Sequence, residues 1–501
     1  MPHKFHGEFF YTWYCSLALM LCYAVGELGH FLLGVTSKPM AQDIHFGDQG
    51  CMPNEETHNE VHEMCKSSSD DNFPEEQCSN VTLNGSFVCR WDYKGDGVEY
   101  QLLAGPFFVA IFTIMGIILG VLGDSYNRVR ILFICVLVCS LMTLVTGFST
   151  QYWQLAVLRI GFGAAEAGFS PLSASIIADI FGKTSRGLGM SVFNWGIYFG
   201  FGCAFAVGNI VTEANINDQG WRWAYYIAGI PGFFLAFLIL LTLKEPTRKN
   251  ITVTDEKQEL QKEEIKGSLK KKPNKVFLLF SKVTTAIKLY ATKPSLMVLL
   301  IAACIRHSAS YCFAYNAQLY FSEYYPTTKL GLWMTISSIV GGSIGIASGG
   351  LISDLIVVKH GVHTRMWVLA ISQALASPLA FGVLYLTPPF CFFSLIAAYL
   401  FAEMWFGIIF AVLVELLPTE VRSTCLATFF FVINNIAGLV LLGVPKLKDN
   451  MGSRQALTLV YPGFYLISSF FFALAQILLR REVRSKSLHQ SDSNKVDSHD
   501  L

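Results

Sequence analysis

The stretch GVLGDSYNRVRIL, residues 120–132, closes an apolar run that begins at Leu102 and gathers Asp124, Arg128 and Arg130 before apolar residues resume at Ile131. A chain that leaves hydrocarbon for three charges and returns at once is crossing a bilayer, touching water and turning back. The flanking runs have the length this requires. A spanning helix needs about 20 mainly apolar residues rising ~1.5 Å each. Runs of that size recur at 9–35, 102–123, 131–149, 152–180, 187–211, 223–243, 295–318, 330–352, 366–386, 390–413, 424–444 and 457–479. Twelve spans and an all-α membrane fold are therefore expected.

Composition agrees. Of 501 residues, 53% are hydrophobic, 14% aromatic and only 15% charged, which excludes a string of soluble domains. The net charge of +1 says little, because in a membrane charge matters by location. The loops after the second, fourth, eighth and tenth spans carry Arg128 with Arg130, Lys183 with Arg186, Lys359 with Arg365, and Arg422, and the tail opens Arg480-Arg481. Basic loops face the cytoplasm. Both termini are then cytoplasmic and the long connection 36–101 lies outside. Its chemistry points the same way: Cys51, Cys65, Cys78 and Cys89 form an even set suited to two disulfides, and Asn80-Val-Thr82 and Asn84-Gly-Ser86 are glycosylation sequons. Which cysteine pairs with which stays open. The remaining cysteines lie in or near apolar runs and read as small buried hydrophobes. The first span is too long for a cleaved signal peptide and contains Glu27 and His30, so it is expected to stay in the membrane.

Residues 244–293, lysine-rich and charged, read as a cytoplasmic linker that touches anionic lipid, with a helix at 255–272 open to it. It separates a six-span unit, 1–243, from a second, 294–480, and residues 481–501 read as a disordered tail. The two units echo each other. Gly120-Val-Leu-Gly-Asp124 matches Gly350-Leu-Ile-Ser-Asp354 at an offset of 230; Asp179 with Arg186 matches Glu415 with Arg422 at 236; Ala165-Glu166 matches Ala402-Glu403 at 237. Three correspondences at nearly one offset imply two bundles related by a pseudo-twofold along the membrane normal, with a site near midplane between them.

These residues carry a resemblance to a known family. GVLGDSYNRVR is similar to the motif that follows the second helix in the major facilitator superfamily, with Asn127 and Ser125 departing from its commonest residues. Arg159 with Gly163 resembles that family's fourth-helix pattern, and Leu417-Pro-Thr-Glu-Val-Arg422 its loop between helices ten and eleven. Within it, Arg159-Ile-Gly-Phe-Gly-Ala-Ala-Glu166-Ala, Ile177-Ala-Asp179-Ile-Phe and Lys244-Glu-Pro246 resemble the spinster branch of lipid and small-solute transporters. Where that branch commonly shows Asp-Arg in the first helix, this chain reads Gly29-His30. The resemblance implies secondary transport by alternating access, with a lysolipid- or sphingoid-like solute.

At the cytoplasmic edge, Asp124 is expected to pair with Arg128 or Arg130 and to clamp one bundle on the other, with Asp354, Asp179, Arg186, Glu415 and Arg422 as further gating charges. Arg128 and Arg130 taken alone need be no more than topology signals. Charges inside hydrocarbon cost about 2.5–3.5 kcal/mol each on insertion scales, so they face water or a partner. The candidates are Glu27, His30, Arg159, Glu166, Arg306, His307 and Glu403. Glu27 and His30 share a helix face, and His30 titrates near neutrality. Arg159 and Glu166 share a face but stand ~10.5 Å apart along it, so something must lie between them. Glu166 is the leading proton site, a carboxylate in a glycine- and alanine-rich segment. His307, beside Arg306, reads as snorkelling toward a membrane face. Gly196, Gly200 and Gly202 read as close helix packing.

Other chemistry is set aside. Gly182-Lys183-Thr184 lacks the earlier glycine of a phosphate-binding loop, Gly161-x-Gly163 lacks the third glycine of a dinucleotide fingerprint, and no His-Glu-x-x-His or paired Cys-x-x-Cys occurs. No enzyme, cofactor or metal site is expected. The reading is a monomeric, proton-coupled transporter of a small anionic or amphipathic solute, with the bilayer and no nucleic acid as partner. The competing reading is a non-transporting receptor or scaffold that displays the disulfide-bonded loop. With no acidic dileucine sorting signal, the plasma membrane is favoured over the lysosomal membrane.

Overall fold

A backbone in hydrocarbon must satisfy its own N–H and C=O groups, so apolar runs become helices. The computed structural model describes residues 2–53, 65, 78, 80–83, 86–181, 186–246, 275–360, 364–417 and 422–497. Among them, 11 helices are long and apolar enough to cross a membrane. The expected span 152–180 is present as two shorter helices, Tyr152–Glu166 and Phe169–Ile180. The chain is a multi-pass, all-α membrane protein.

The stretch that opened the reading forms a tight turn. One helix, Pro106–Ser125, ends there, and the next, Arg128–Thr146, begins with Asn127 as its N-cap. The Asn127 side chain accepts the Arg130 backbone N–H at 2.9 Å, satisfying a donor that the first helical turn leaves unpaired. Boundaries elsewhere move. The first helix runs Pro2–Ile44, beyond 9–35 at both ends, and a separate short helix, Val98–Ala104, precedes Pro106. Gly105 joins those two because a Cβ there would stand 2.8 Å from the Gly438 carbonyl oxygen of the eleventh span.

Outside the membrane, strand Gln49–Pro53 pairs antiparallel with Cys89–Tyr93, and Thr82–Leu83 with Ser86–Phe87. The disulfides are Cys51–Cys78 and Cys65–Cys89, one of three pairings that spacing leaves open. Asn80 is exposed, while Asn84 lies outside the described residues.

The linker carries a helix that its lysines hid: Lys275–Thr292. Its Ala286 and Tyr290, four positions apart, are buried against Leu299 and the eleventh span, where the Tyr290 hydroxyl donates to the Cys425 carbonyl at 3.0 Å. The open helix at 255–272 lies outside the described residues. The last helix runs Phe464–Asp497, so helical backbone continues through most of the segment expected to be disordered.

Glycines set the tightest approaches between spans. A Cβ at Gly196 would stand 2.5 Å from the Met20 carbonyl oxygen, and one at Gly200 2.3 Å from that of Ala24, so the fifth span lies directly on the backbone of the first. Gly202 faces the other way, toward Ile339 of the eighth span. The fifth span therefore touches both halves, and residues projecting from it near this depth can read the position of one half against the other.

Candidate functional site

The fourth span breaks at Glu166. Pro171 has no N–H to donate and its ring crowds the carbonyl of Ala167, so the helix ends and restarts at Phe169. The tenth span breaks at the matching place: helix Phe390–Ala402 ends, Glu403 and Met404 form a turn, and Trp405–Leu416 follows. No proline accompanies this second break. Instead, Gly345 and Gly349 bring the eighth span against backbone atoms of Tyr399, Leu400 and Met404. Each half thus presents a carboxylate where a membrane helix is interrupted. The sequence offset found both carboxylates but gave no sign of the breaks.

In the first half, His30 fills the gap between Arg159 and Glu166. Its Nδ1 lies 3.2 Å from Glu166 Oε2, while its backbone carbonyl accepts from Arg159 Nη2 at 3.0 Å. Arg159 also donates to the Tyr315 hydroxyl at 2.7 Å and to the Leu103 carbonyl at 3.1 Å, and lies over the Phe108 ring. Glu27 sits one turn before His30. One donor atom from each of Glu27, His30 and Glu166 falls within 4.8 Å of the others, and all three residues are buried. Beside Arg159, a cavity of about 20 Å³ lined by Thr143, Thr146 and Tyr225 has room for one water.

The second half builds a related pair from equivalent spans. Arg306 of the seventh pairs with Glu403 of the tenth at 2.9 Å and donates to the Ala402 carbonyl at 2.7 Å, its guanidinium stacked over Trp405. Tyr198, from the fifth span of the other half, donates to Glu403 at 2.7 Å. His307 does not snorkel. It faces inward, its Nε2 3.0 Å from Asn434 of the eleventh span.

At the turn between the second and third spans, Arg128 is nearly fully buried, so it is more than a topology signal. It pairs with Asp179 and with Glu245, each at 2.7 Å, and donates to Ser175, all within the first half. Arg128 thus closes on Asp179, Ser175 and Glu245, while the expected clamp through Asp124 rests on a side chain outside the described residues. Arg365 repeats the arrangement, pairing with Asp354 at 2.7 Å and Glu415 at 3.1 Å. Arg128 and Arg365 stand at an offset of 237, a correspondence the sequence contained and the reading overlooked. Glu245 was missed as well, because it lies 117 residues from Arg128 in a loop. Arg130 is exposed. The side chains of Asp124, Arg186 and Arg422 lie outside the described residues.

The halves meet on the outer side. The Tyr100 hydroxyl donates to the Tyr315 carbonyl, Gln101 to Asn316 at 3.2 Å and Tyr311 to the Ala104 carbonyl at 2.8 Å, while Asn209 and Gln318 exchange hydrogen bonds. Among the described residues these contacts join the halves near the disulfide-bonded loop, and Tyr198 with Glu403 joins them deeper in the bundle.

Residues 19–442 match the Major Facilitator Superfamily. The chain belongs to that superfamily. That superfamily is one of membrane transporters rather than enzymes. Its relatives include the zebrafish (Danio rerio) "Sphingosine-1-phosphate transporter SPNS2", 34% identical over 143 residues, 28% of each chain. Another is "Protein spinster" of Drosophila melanogaster, 33% identical over 160 residues, 31% of this chain and 26% of that one. These alignments span about a quarter of the relatives' length. Among solved structures, a bacterial homologue of the human lysosomal transporter Spinster, inward-facing and unoccupied, aligns with a TM-score of 0.66 at 17% identity, covering 94% of this chain and 98% of that one. The Escherichia coli xylose transporter XylE, inward open, aligns with a TM-score of 0.58 at 15% identity, covering 92% and 95%. At such identities the structures show the fold alone.

Proposed function

We propose that this protein is a proton-coupled secondary transporter of a small anionic or amphipathic organic solute, working by alternating access between its halves. The observation that carries the proposal is the pair of interrupted spans, each with a buried carboxylate on a basic partner: Glu166 on His30, and Glu403 on Arg306. Buried charges survive in a bilayer when they face a partner or an aqueous path. Here one pair includes an imidazole and the other a permanent guanidinium.

A proton exchanged at Glu166 changes the charge between the first and fourth spans, which supports coupling. Arg159 and Arg306 supply positive charge near an anionic headgroup, and Arg306 keeps its Nε without a hydrogen-bond partner. The solute proposed is lysolipid- or sphingoid-like, in keeping with the transport function named for the zebrafish relative. We place the protein at the plasma membrane with both termini cytoplasmic.

Purified protein in proteoliposomes with an imposed pH gradient tests this. A panel of phosphorylated sphingoid bases, lysophospholipids, a nucleoside and a pentose is offered to it. Gradient-dependent movement of an amphipathic anion is expected. Movement of the sugar or nucleoside alone would change the solute class, and binding without movement of any compound would favour the receptor reading.

A further inference from the structure

Two carboxylates and an imidazole are brought together in hydrocarbon at Glu27, His30 and Glu166, although no metal-binding motif joins them in sequence. We propose that this cluster is a binding site for a divalent transition-metal ion of the zinc, cobalt and manganese type. The inference goes beyond proton-coupled transport and stands on geometry that holds whether or not the solute reading is right.

The carboxylates of Glu27 and Glu166 and the imidazole of His30 converge in the buried interior, one donor atom of each lying within 4.8 Å of the others. Arg159 makes no direct contact with either carboxylate; its guanidinium donates to the carbonyls of Leu103 and His30 and to the Tyr315 hydroxyl. The donor set of one nitrogen and carboxylate oxygens suits a borderline transition metal, whereas calcium and magnesium favour an all-oxygen shell. Spacing is suitable too. Ligands at about 2.0–2.1 Å in a tetrahedron stand ~3.3 Å from one another, and His30 Nδ1 and Glu166 Oε2 are 3.2 Å apart. Glu27 needs only a side-chain adjustment to close from within 4.8 Å. Among the described residues His30 Nε2 is buried without a hydrogen-bond partner, so the ring's hydrogen-bond contact is with Glu166.

The surrounding backbone holds these groups close. A Cβ at Gly26 would stand 3.1 Å from Glu166 Oε1, and one at Gly200 2.8 Å from Glu27 Cβ. Gly26 leaves room for the Glu166 carboxylate against the first span, and Gly200 lets the fifth span lie close against Glu27. Arg159 holds the His30 backbone through its carbonyl, at 3.0 Å. Three protein donors leave a fourth position for water or for an anionic group of a solute. An ion there would tie the first span to the fourth within the first half.

The test uses the full-length protein in lipid nanodiscs, titrated with cobalt chloride and read by visible d–d absorption. A band from an N/O site of low coordination is expected in the wild type. In E27Q, H30Q and E166Q it should be lost or need at least ~10-fold more cobalt. E27H, which keeps a donor at that position, should retain the band with a shifted maximum, and this keeps the test decisive if E27Q does not fold. No such band in the wild type, or an unchanged band in E27Q, would overturn the site. Cobalt binding with no solute movement would leave the site standing and remove the transport reading, while movement without cobalt binding would do the reverse.

Discussion

Glu166→Gln is expected to lower proton-driven flux at least tenfold while leaving the protein folded, a change of about 1.4 kcal/mol or more in the limiting barrier. Glutamine keeps the shape of the side chain and an acceptor oxygen toward His30, so the contact at 3.2 Å can persist. What it loses is the exchangeable proton. The Arg159 contacts do not involve Glu166 directly, so the outer closure through Tyr315 should be untouched. Flux measured in proteoliposomes with and without a pH gradient separates the effects. Exchange down a solute gradient should survive better than uphill accumulation. Equal loss of both would point to a binding role instead, and full activity would remove Glu166 from coupling.

The largest expected loss of stability lies in the second half. Arg306→Met or Glu403→Gln alone is expected to destabilise the protein by about 3–5 kcal/mol, because each leaves a buried group without its counter-charge. Arg306 is only 2% exposed, its guanidinium lies 4.3 Å from the centre of the Trp405 ring, and Glu403 also holds the Tyr198 hydroxyl. The double variant, Arg306→Met with Glu403→Gln, should recover much of that loss, since neither uncompensated charge remains. Thermal unfolding in one nanodisc preparation checks all three. Additive losses in the double variant would mean that the two residues act separately, contrary to the 2.9 Å pair.

How much of this the sequence disclosed follows from what each feature depends on. The expected spans were legible as apolar runs because length and hydropathy are local, but that the fourth and the tenth are broken helices was not. The pseudo-symmetry was legible because charged landmarks recur at one offset. The gap between Arg159 and Glu166 followed from helical rise alone, and so did the need for something to fill it. That His30 fills it, and not a residue of a more distant helix, depends on how the first span packs against the fourth. Partner choice is likewise non-local: Arg128 finds Glu245 across 117 residues, and the extracytoplasmic cysteines choose one of three pairings. The helix Lys275–Thr292 was obscured by its lysines, although Ala286 and Tyr290 carry an apolar i, i+4 face.

The gating charges teach a related point. A basic cluster after the second span looked like a clasp between halves, yet Arg128 and Arg365 each organise their own half at matching positions. Rigid ends of this kind suit halves that move as bodies. The contacts that must change during such motion are then the ones between halves, including Tyr198 to Glu403 and Gln101 to Asn316.

The most direct measurement is a pair of distances in one sample of labelled protein. One pair of probes sits at the C-terminal ends of the second and eighth spans, at Tyr126 and Leu355, and the other at the N-terminal ends of the fourth and tenth, at Trp153 and Phe390, all four exposed. As transported solute and pH are varied, one distance should shorten while the other lengthens. Two distances that stay fixed under every condition, in protein shown to bind its solute, would contradict alternating access.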